Sequence, residues 1–231
     1  MFNFTDAKAT FKTDLQVLGR IRPRAATQLA EPPVARFLFA DTRMAWVWLL
    51  VRLYVAYYWL TAGLEKLVGR NYTFGGAFNT AVKGGGWIFY RQLPLGTQMA
   101  GFAKGAMAQA TGPYPAVQGW YASFLQHLVV PNAGFFAVLI TFGEVAVGLG
   151  LLVGALTGIA AFFGLFMNLN FLLSGAVSIN PVIGVAALLL VLAWRVAGYY
   201  GIDAYLLPLL GTPWTGSLAA NWRLMGWPRR S

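Results

Sequence analysis

The chain has 231 residues, of which 58% are hydrophobic and only 10% are charged. Soluble domains normally carry about 25% charged residues, so this composition excludes an ordinary cytosolic enzyme and a disordered protein. The net charge of +10 indicates affinity for anionic lipids rather than for nucleic acid, because the basic residues form no dense run. Cysteine is absent and there is one histidine, so no thiolate chemistry, metal or haem is expected from this chain.

Residues 1–43 are predicted to form a basic cytoplasmic extension. Apolar residues recur at helical spacing over residues 4–18 among charged ones, which is typical of an amphipathic helix lying on a membrane surface. The segment lacks the apolar core and cleavage site of a secretory signal. Pro23, Pro32 and Pro33 then predict a linker before the first span.

Four apolar stretches are each long enough to cross a bilayer, which requires roughly 20 residues per helix. They cover residues 44–64, 132–153, 157–174 and 181–198. The sequence therefore predicts an all-α integral membrane protein, a four-transmembrane-helix bundle over residues 44–198.

The proline and glycine residues between these stretches support the same division. Pro131 and Pro181 stand where helices are expected to begin, because proline's missing N–H is harmless in the first turn. Gly154 and Gly158 bracket a very short connection, which predicts that the second and third spans form an antiparallel hairpin.

The distribution of Lys and Arg predicts the orientation. Seven basic residues precede the first span and four lie near or after the end of the fourth, whereas the loop over residues 65–131 holds five. The positive-inside rule then places both termini in the cytoplasm of a bacterial or archaeal cell, in its inner membrane. The loop is predicted to be extracytoplasmic and partly helical, and residues 199–231 to form an interfacial cytoplasmic tail.

Polar side chains within the spans are functional candidates, since a charge near the bilayer centre costs at least about 2.5–3.5 kcal/mol. Helical rise places five of them in one layer between the midplane and the cytoplasmic face, namely Arg52, Glu144, Asn168, Asn170 and Arg195. We assign Glu144, Arg52 and Arg195 as candidate catalytic residues, because a net positive layer favours an oxyanion or a quinol that loses its proton to Glu144. Asn168 and Asn170 are candidate quinone-binding residues. The alternative is that these side chains only hold the helices together.

A second polar group is predicted at the outer end of the first span. Glu65 and Lys66 stand there, and Trp87 and Arg91 follow in the loop. Asn180 closes the turn between the third and fourth spans on the same side. We predict that these residues bind the substrate or quinone. The alternative is an ordinary helix-end charge pair and an Asn-Pro turn.

Three segments resemble the DoxX family. RLYVAYYWLTAGLEKL at 52–67 is similar to the first-span signature of the family, which ends in AG…KL. Residues 142–181, with GE…GLGLL and SINP, resemble the DoxD-type branch, the small membrane subunit of thiosulfate:quinone oxidoreductase. RVAGYYGIDAYL at 195–206 is similar to the segment after the fourth span of that branch, and the resemblance covers about residues 37–206.

The resemblance implies a four-span bundle that works with a second subunit, oxidises thiosulfate to tetrathionate and reduces a quinone as co-substrate. The polar residues of the family fall on Arg52, Glu65, Lys66, Glu144, Asn168, Asn170, Asn180 and Arg195. The extended termini favour an alternative, a non-catalytic accessory subunit of a larger respiratory or photosynthetic membrane complex. A small transporter ranks last, because no inverted repeat is evident.

Overall fold

The structure, a computed structural model, describes residues 32–69 and 85–210. The predicted amphipathic helix at residues 4–18 and the tail beyond residue 210 lie outside the described residues. All regular secondary structure within the described ranges is helical, and no strand forms there. The prediction of an all-α fold is confirmed.

The described ranges contain nine α-helices. In chain order they are α1 (Pro33–Ala40), α2 (Ala45–Val68), α3 (Thr97–Met107), α4 (Gly119–Phe124), α5 (Ala133–Val153), α6 (Thr157–Leu173), α7 (Asn180–Leu192), α8 (Trp194–Ala197) and α9 (Asp203–Leu209). A 3-10 turn, Thr42–Met44, leads into α2, and a π-helical turn, Leu125–Val129, continues α4. Two helices, Thr42–Val68 and Ala133–Val153, are long and apolar enough to cross a membrane by length and composition, and α6 and α7 are apolar but shorter.

Proline and glycine set several helix ends. Pro181 is the second residue of α7, as predicted. Pro33 begins α1, so the predicted linker is wrong here, because the fixed φ of proline suits a first helical turn as well as a linker. Gly154 ends α5 with φ +67°, a left-handed conformation that glycine adopts without strain. This glycine allows the short turn between α5 and α6 that the sequence predicted.

The predicted fourth span, 181–198, is divided in two. The N–H of Ala193 bonds to the carbonyls of Leu189 and Val191, which ends α7, and α8 begins at Trp194. Trp194 packs closely on α6. A Cβ added at Gly158 would lie 2.6 Å from the Cβ of Trp194. Arg195 is exposed on the short helix α8.

The segment between α2 and α5 is partly helical, as its spacing predicted. The helix α3, the helix α4 and the π-helical turn bury Met99, Tyr121 and Leu125 in one apolar cluster with the first part of α5. The main core lies among α2, α5, α6, α7 and α8, where Trp59, Leu151 and other apolar side chains are buried.

The contact between α2 and α5 is the most extensive in the fold, and two glycines make it close. A Cβ on Gly63 would lie 2.8 Å from the backbone nitrogen of Val145, and one on Gly148 would lie 2.7 Å from that of Leu60. Small residues allow two helices to approach in this way. The resulting antiparallel register sets Gly63 against Glu144, only about 8 Å from the end of α2 by helical rise.

We expect Gly148→Ala to destabilise the fold, because the added methyl group cannot fit beside the backbone of α2 without parting the helices. The expected cost is about 1–3 kcal/mol, typical of overpacking, and it is measured as a lower midpoint of thermal unfolding in detergent.

Gly101→Ala in α3 is the matched control, since nothing lies within 4 Å of a Cβ there. This substitution is expected to leave stability unchanged or to raise it by roughly 0.5–1 kcal/mol. Equal stability of the two variants would refute the close α2–α5 contact.

Candidate functional site

A buried ion pair joins the end of α2 to the middle of α5. Lys66 Nζ donates to Glu144 Oε1 at 2.7 Å and to Oε2 at 2.6 Å. Glu144 is 1% exposed, whereas the side chain of Lys66 is 21% exposed. Removing a carboxylate from water this completely is costly without a close opposite charge. Lys66 supplies that charge and still reaches the surface.

The ammonium group of Lys66 also faces two aromatic rings. Nζ lies 5.6 Å from the ring centroid of Trp87 and 5.8 Å from that of Phe171, within the range of a cation–π contact. The backbone holds Trp87 in place, because its N–H donates to the carbonyl of Lys66 and the N–H of Phe89 donates to that of Leu67. The chain that follows residue 84 is therefore anchored on the end of α2.

The ion pair borders a cavity of about 290 Å³. Its aromatic and polar lining consists of Tyr58, Trp59, Trp87, Phe102, Phe171, Lys66, Glu144 and Asn180. Ligand sites are typically apolar clefts of about 300 Å³ or more with a few placed polar groups. A cavity of this size and lining has room for one ring or one small anion beside the ammonium group.

An amide pair connects α6 with this cavity. Asn168 Nδ2 donates to Asn180 Oδ1 at 3.3 Å, and Asn180 Nδ2 donates to the carbonyl of Ala176 at 2.6 Å. Asn168 is fully buried, and its Oδ1 has no hydrogen-bond partner within the described part of the chain. Asn180 lines the cavity and Asn168 stands behind it.

Asn170 belongs to a different contact. Its carbonyl and its Oδ1 accept hydrogen bonds from the hydroxyl group of Tyr121 at 3.0 and 3.2 Å. Burial raises the pKa of Tyr121, so this hydroxyl remains a donor at neutral pH. The bond ties α4 to α6, and Asn170 is not among the residues that line the Lys66 cavity.

Arg52 lies near the opposite end of α2, about 21 Å from Lys66 by helical rise. Its side chain is buried, and Nη2 donates to the carbonyl of Tyr200 at 3.0 Å. Two glycines enclose the guanidinium group: a Cβ on Gly154 would overlap Nη1, and one on Gly201 would lie 2.6 Å from it. Arg52 Nε and Nη1 have no hydrogen-bond partner among residues 32–69 and 85–210.

Asp203 is the charged neighbour of Arg52, and the sequence analysis missed it. It is fully buried, and its Oδ1 and Oδ2 accept from the N–H groups of Leu156 at 2.6 Å and Thr157 at 2.8 Å. These N–H groups stand at the start of α6, where an anion is favourable. The sequence signals Asp203 only as a lone acidic residue in an apolar segment. Its hydrogen-bond partners, Leu156 and Thr157, could not be predicted because they are distant along the chain.

The structure separates residues that the sequence placed in one layer. Arg52 lies near the start of α2, whereas Glu144 of α5 lies beside the end of α2 and pairs with Lys66. Lys66 was predicted in the second polar group, at the outer end of the first span. The reason is the register of α5, which begins beyond the end of α2 and brings Glu144 close to that end. Of the ten predicted residues, Lys66, Trp87, Glu144 and Asn180 line the cavity, and six do not: Arg52, Glu65, Arg91, Asn168, Asn170 and Arg195.

No protein-family model, no curated protein and no solved structure matches this chain. The chemistry of the two charged sites therefore carries the functional argument.

Lys66→Met is expected to be more destabilising than Glu144→Gln. The first change leaves a carboxylate buried without its counter-charge, a cost of about 3–5 kcal/mol, whereas the second leaves an ammonium group that already reaches the surface. Thermal unfolding in detergent measures the difference, and Lys104→Met on the exposed face of α3 is the control for loss of a lysine. The double variant is expected to be more stable than Lys66→Met alone, and additive losses would contradict the pairing.

Asp203→Asn is expected to lower stability by roughly 3 kcal/mol, because it leaves Arg52 buried without a charged neighbour and weakens the cap of α6. Asp41→Asn is the matched control, since Asp41 pairs with the exposed Arg43 at 2.7 Å in solvent. That control is expected to change stability little. Equal unfolding midpoints for the two variants would show that the Arg52 cluster contributes nothing beyond a surface pair.

Proposed function

We propose that this chain is a four-span DoxX/DoxD-like protein of a bacterial or archaeal cell membrane. In this proposal it binds a quinone in the Lys66 cavity, as one subunit of a quinone-linked oxidoreductase. The observation that carries the proposal is the buried Lys66–Glu144 pair, which stands in an aromatic-walled cavity and keeps one edge accessible.

The apolar surface of the shorter helices supports the four spans. Phe162 and Phe166 of α6, and Val185 and Leu192 of α7, are all more than 45% exposed. Soluble monomers rarely expose contiguous apolar patches larger than a few hundred Å², so a lipid environment suits these faces. Together α7 and α8 reach about 27 Å by helical rise, close to the roughly 30 Å of the hydrocarbon core.

The proposed orientation puts the Lys66 cavity near the outer surface. The excess of Lys and Arg in the terminal segments favours cytoplasmic termini, which would leave α3 and α4 on the other side. Lys66 lies in the last turn of α2, on the same side as α3. An electron donor from outside the cell membrane would therefore reach this end first.

The cavity offers a quinone ring both stacking and hydrogen bonding. Trp87 and Phe171 present aromatic faces, against which a flat ring packs well. The ammonium group has three hydrogens, and the two oxygens of Glu144 use two of them. The third would be donated to a ring oxygen in the cavity.

The same pair would supply protons. Reduction of a quinone to a quinol consumes two electrons and two protons. Lys66 would give one proton to the reduced ring oxygen beside it and would recover a proton through its accessible edge, while Glu144 keeps the ammonium group oriented. The second proton, for the other ring oxygen, would come from water. The electrons would come from an outer anionic donor through a second subunit. In the activity implied by the resemblance, two thiosulfate ions join as tetrathionate and release two electrons.

The proposal is tested on the complex purified from native membranes in mild detergent. We expect quinone in the extracted lipids at about one per chain and thiosulfate-dependent reduction of added ubiquinone-1. Lys66→Met and Glu144→Gln are expected to reduce that rate at least tenfold with assembly intact, because they remove the proton donor or its orientation. Lys104→Met is expected to keep the native rate.

Normal turnover by both assembled site variants would refute the proposed site. A large complex that carries quinone only on other subunits would instead favour the accessory role, with the charged residues serving assembly.

A further inference from the structure

An apolar groove of about 600 Å³ runs between α5 and α6. Few large side chains form its floor, because Gly143, Gly150 and Ala160 line it, and a Cβ on Gly150 would lie 3.2 Å from that of Ala160. Its edges are formed by exposed residues such as Leu139 and Phe163, which are 52% and 54% exposed. The groove is therefore open along the side of the protein.

The groove begins where the Lys66 cavity ends. Four residues line both spaces: Met99, Phe102, Ile140 and Phe171. The rings of Phe102 and Phe171 meet edge to face with centroids 6.2 Å apart. The partition between the polar cavity and the apolar groove is thus made of side chains, and Phe102 belongs to α3 rather than to the α5–α6 pair.

The groove has little to offer a polar group. The side chains with hydrogen-bonding groups in its lining are those of Tyr121 and Asn170, and these bond to each other. The groove extends along α5 from Phe136 to Gly150, about 21 Å by helical rise. Its shape and lining suit a long, thin hydrocarbon chain.

We propose that the groove holds the isoprenoid tail of the quinone whose ring lies beside Lys66, so that the substrate class is the long-chain isoprenoid quinones. This inference rests on the proposed function. The shared wall of the two spaces favours the tail over a separate lipid chain, because a molecule with its polar ring at Lys66 has its apolar part directed at the shared residues. The open side of the groove lets the tail enter from the bilayer.

The test uses two probes, ubiquinone-0, which has no tail, and ubiquinone-2, which has two isoprenoid units. Their binding to the purified chain in detergent is followed by quenching of tryptophan fluorescence. We expect ubiquinone-2 to bind more tightly than ubiquinone-0. Ala146→Phe fills the groove and is expected to weaken the binding of ubiquinone-2 by about tenfold. This loss is equivalent to nearly two buried methylene groups. The affinity for ubiquinone-0 is expected to change less than about twofold.

Leu149→Phe is the matched control, since Leu149 is exposed on the same helix and does not line the groove. It is expected to change neither affinity. The comparison of ubiquinone-2 with ubiquinone-0 in the native protein needs no variant. The proposal can therefore be refuted even if Ala146→Phe does not fold.

The failures of the two proposals are distinguishable with the same probes. If Lys66→Met weakens both quinones but the tail adds no affinity in the native protein, the tail proposal is wrong and the ring site stands. An equal effect of Ala146→Phe on both probes would also overturn the tail proposal. If neither probe depends on Lys66, the proposed quinone site itself is wrong.

Discussion

The close contact of α2 with α5 determines where the charged groups of this protein lie. Gly63 and Gly148 let the two backbones approach, and a side chain at either position would meet the partner backbone. This contact sets the level of Glu144 against the end of α2, where Lys66 can reach it. An α5 displaced by one turn would carry the carboxylate about 5.4 Å away and leave it buried without a cation.

Arg52 and Lys66, two charged residues of α2, have different surroundings. Arg52 is closed in by Gly154 and Gly201, and its Nη2 bonds to a backbone carbonyl. Lys66 keeps part of its side chain exposed and faces a cavity. In the proposed function, this access would let the ion pair exchange protons. Arg52 and Asp203 instead hold the turn between α5 and α6 against the chain before α9.

Local signals in the sequence predicted several helix ends but not the arrangement of the site. Apolar length, Pro181 and Gly154 predicted helix positions and the short turn, because those features act within a few residues. Depth arithmetic along single spans failed for Glu144, since it assumed that all spans start at the same level. The register of two helices depends on packing, here at Gly63 and Gly148, and no periodicity in one segment encodes it.

The polar cavity and the apolar groove share a wall of four side chains, and the proposed quinone would occupy both spaces. The helix α3 and the π-helical turn close the groove at the end nearest Lys66, so the segment between α2 and α5 does more than connect them. Because Phe102 of α3 and Phe171 of α6 form the partition together, a shift of α3 would change access to Glu144 without disturbing the α2–α5 contact. The α2–α5 register therefore holds the ion pair, while α3 and α6 supply the rings that separate it from the groove.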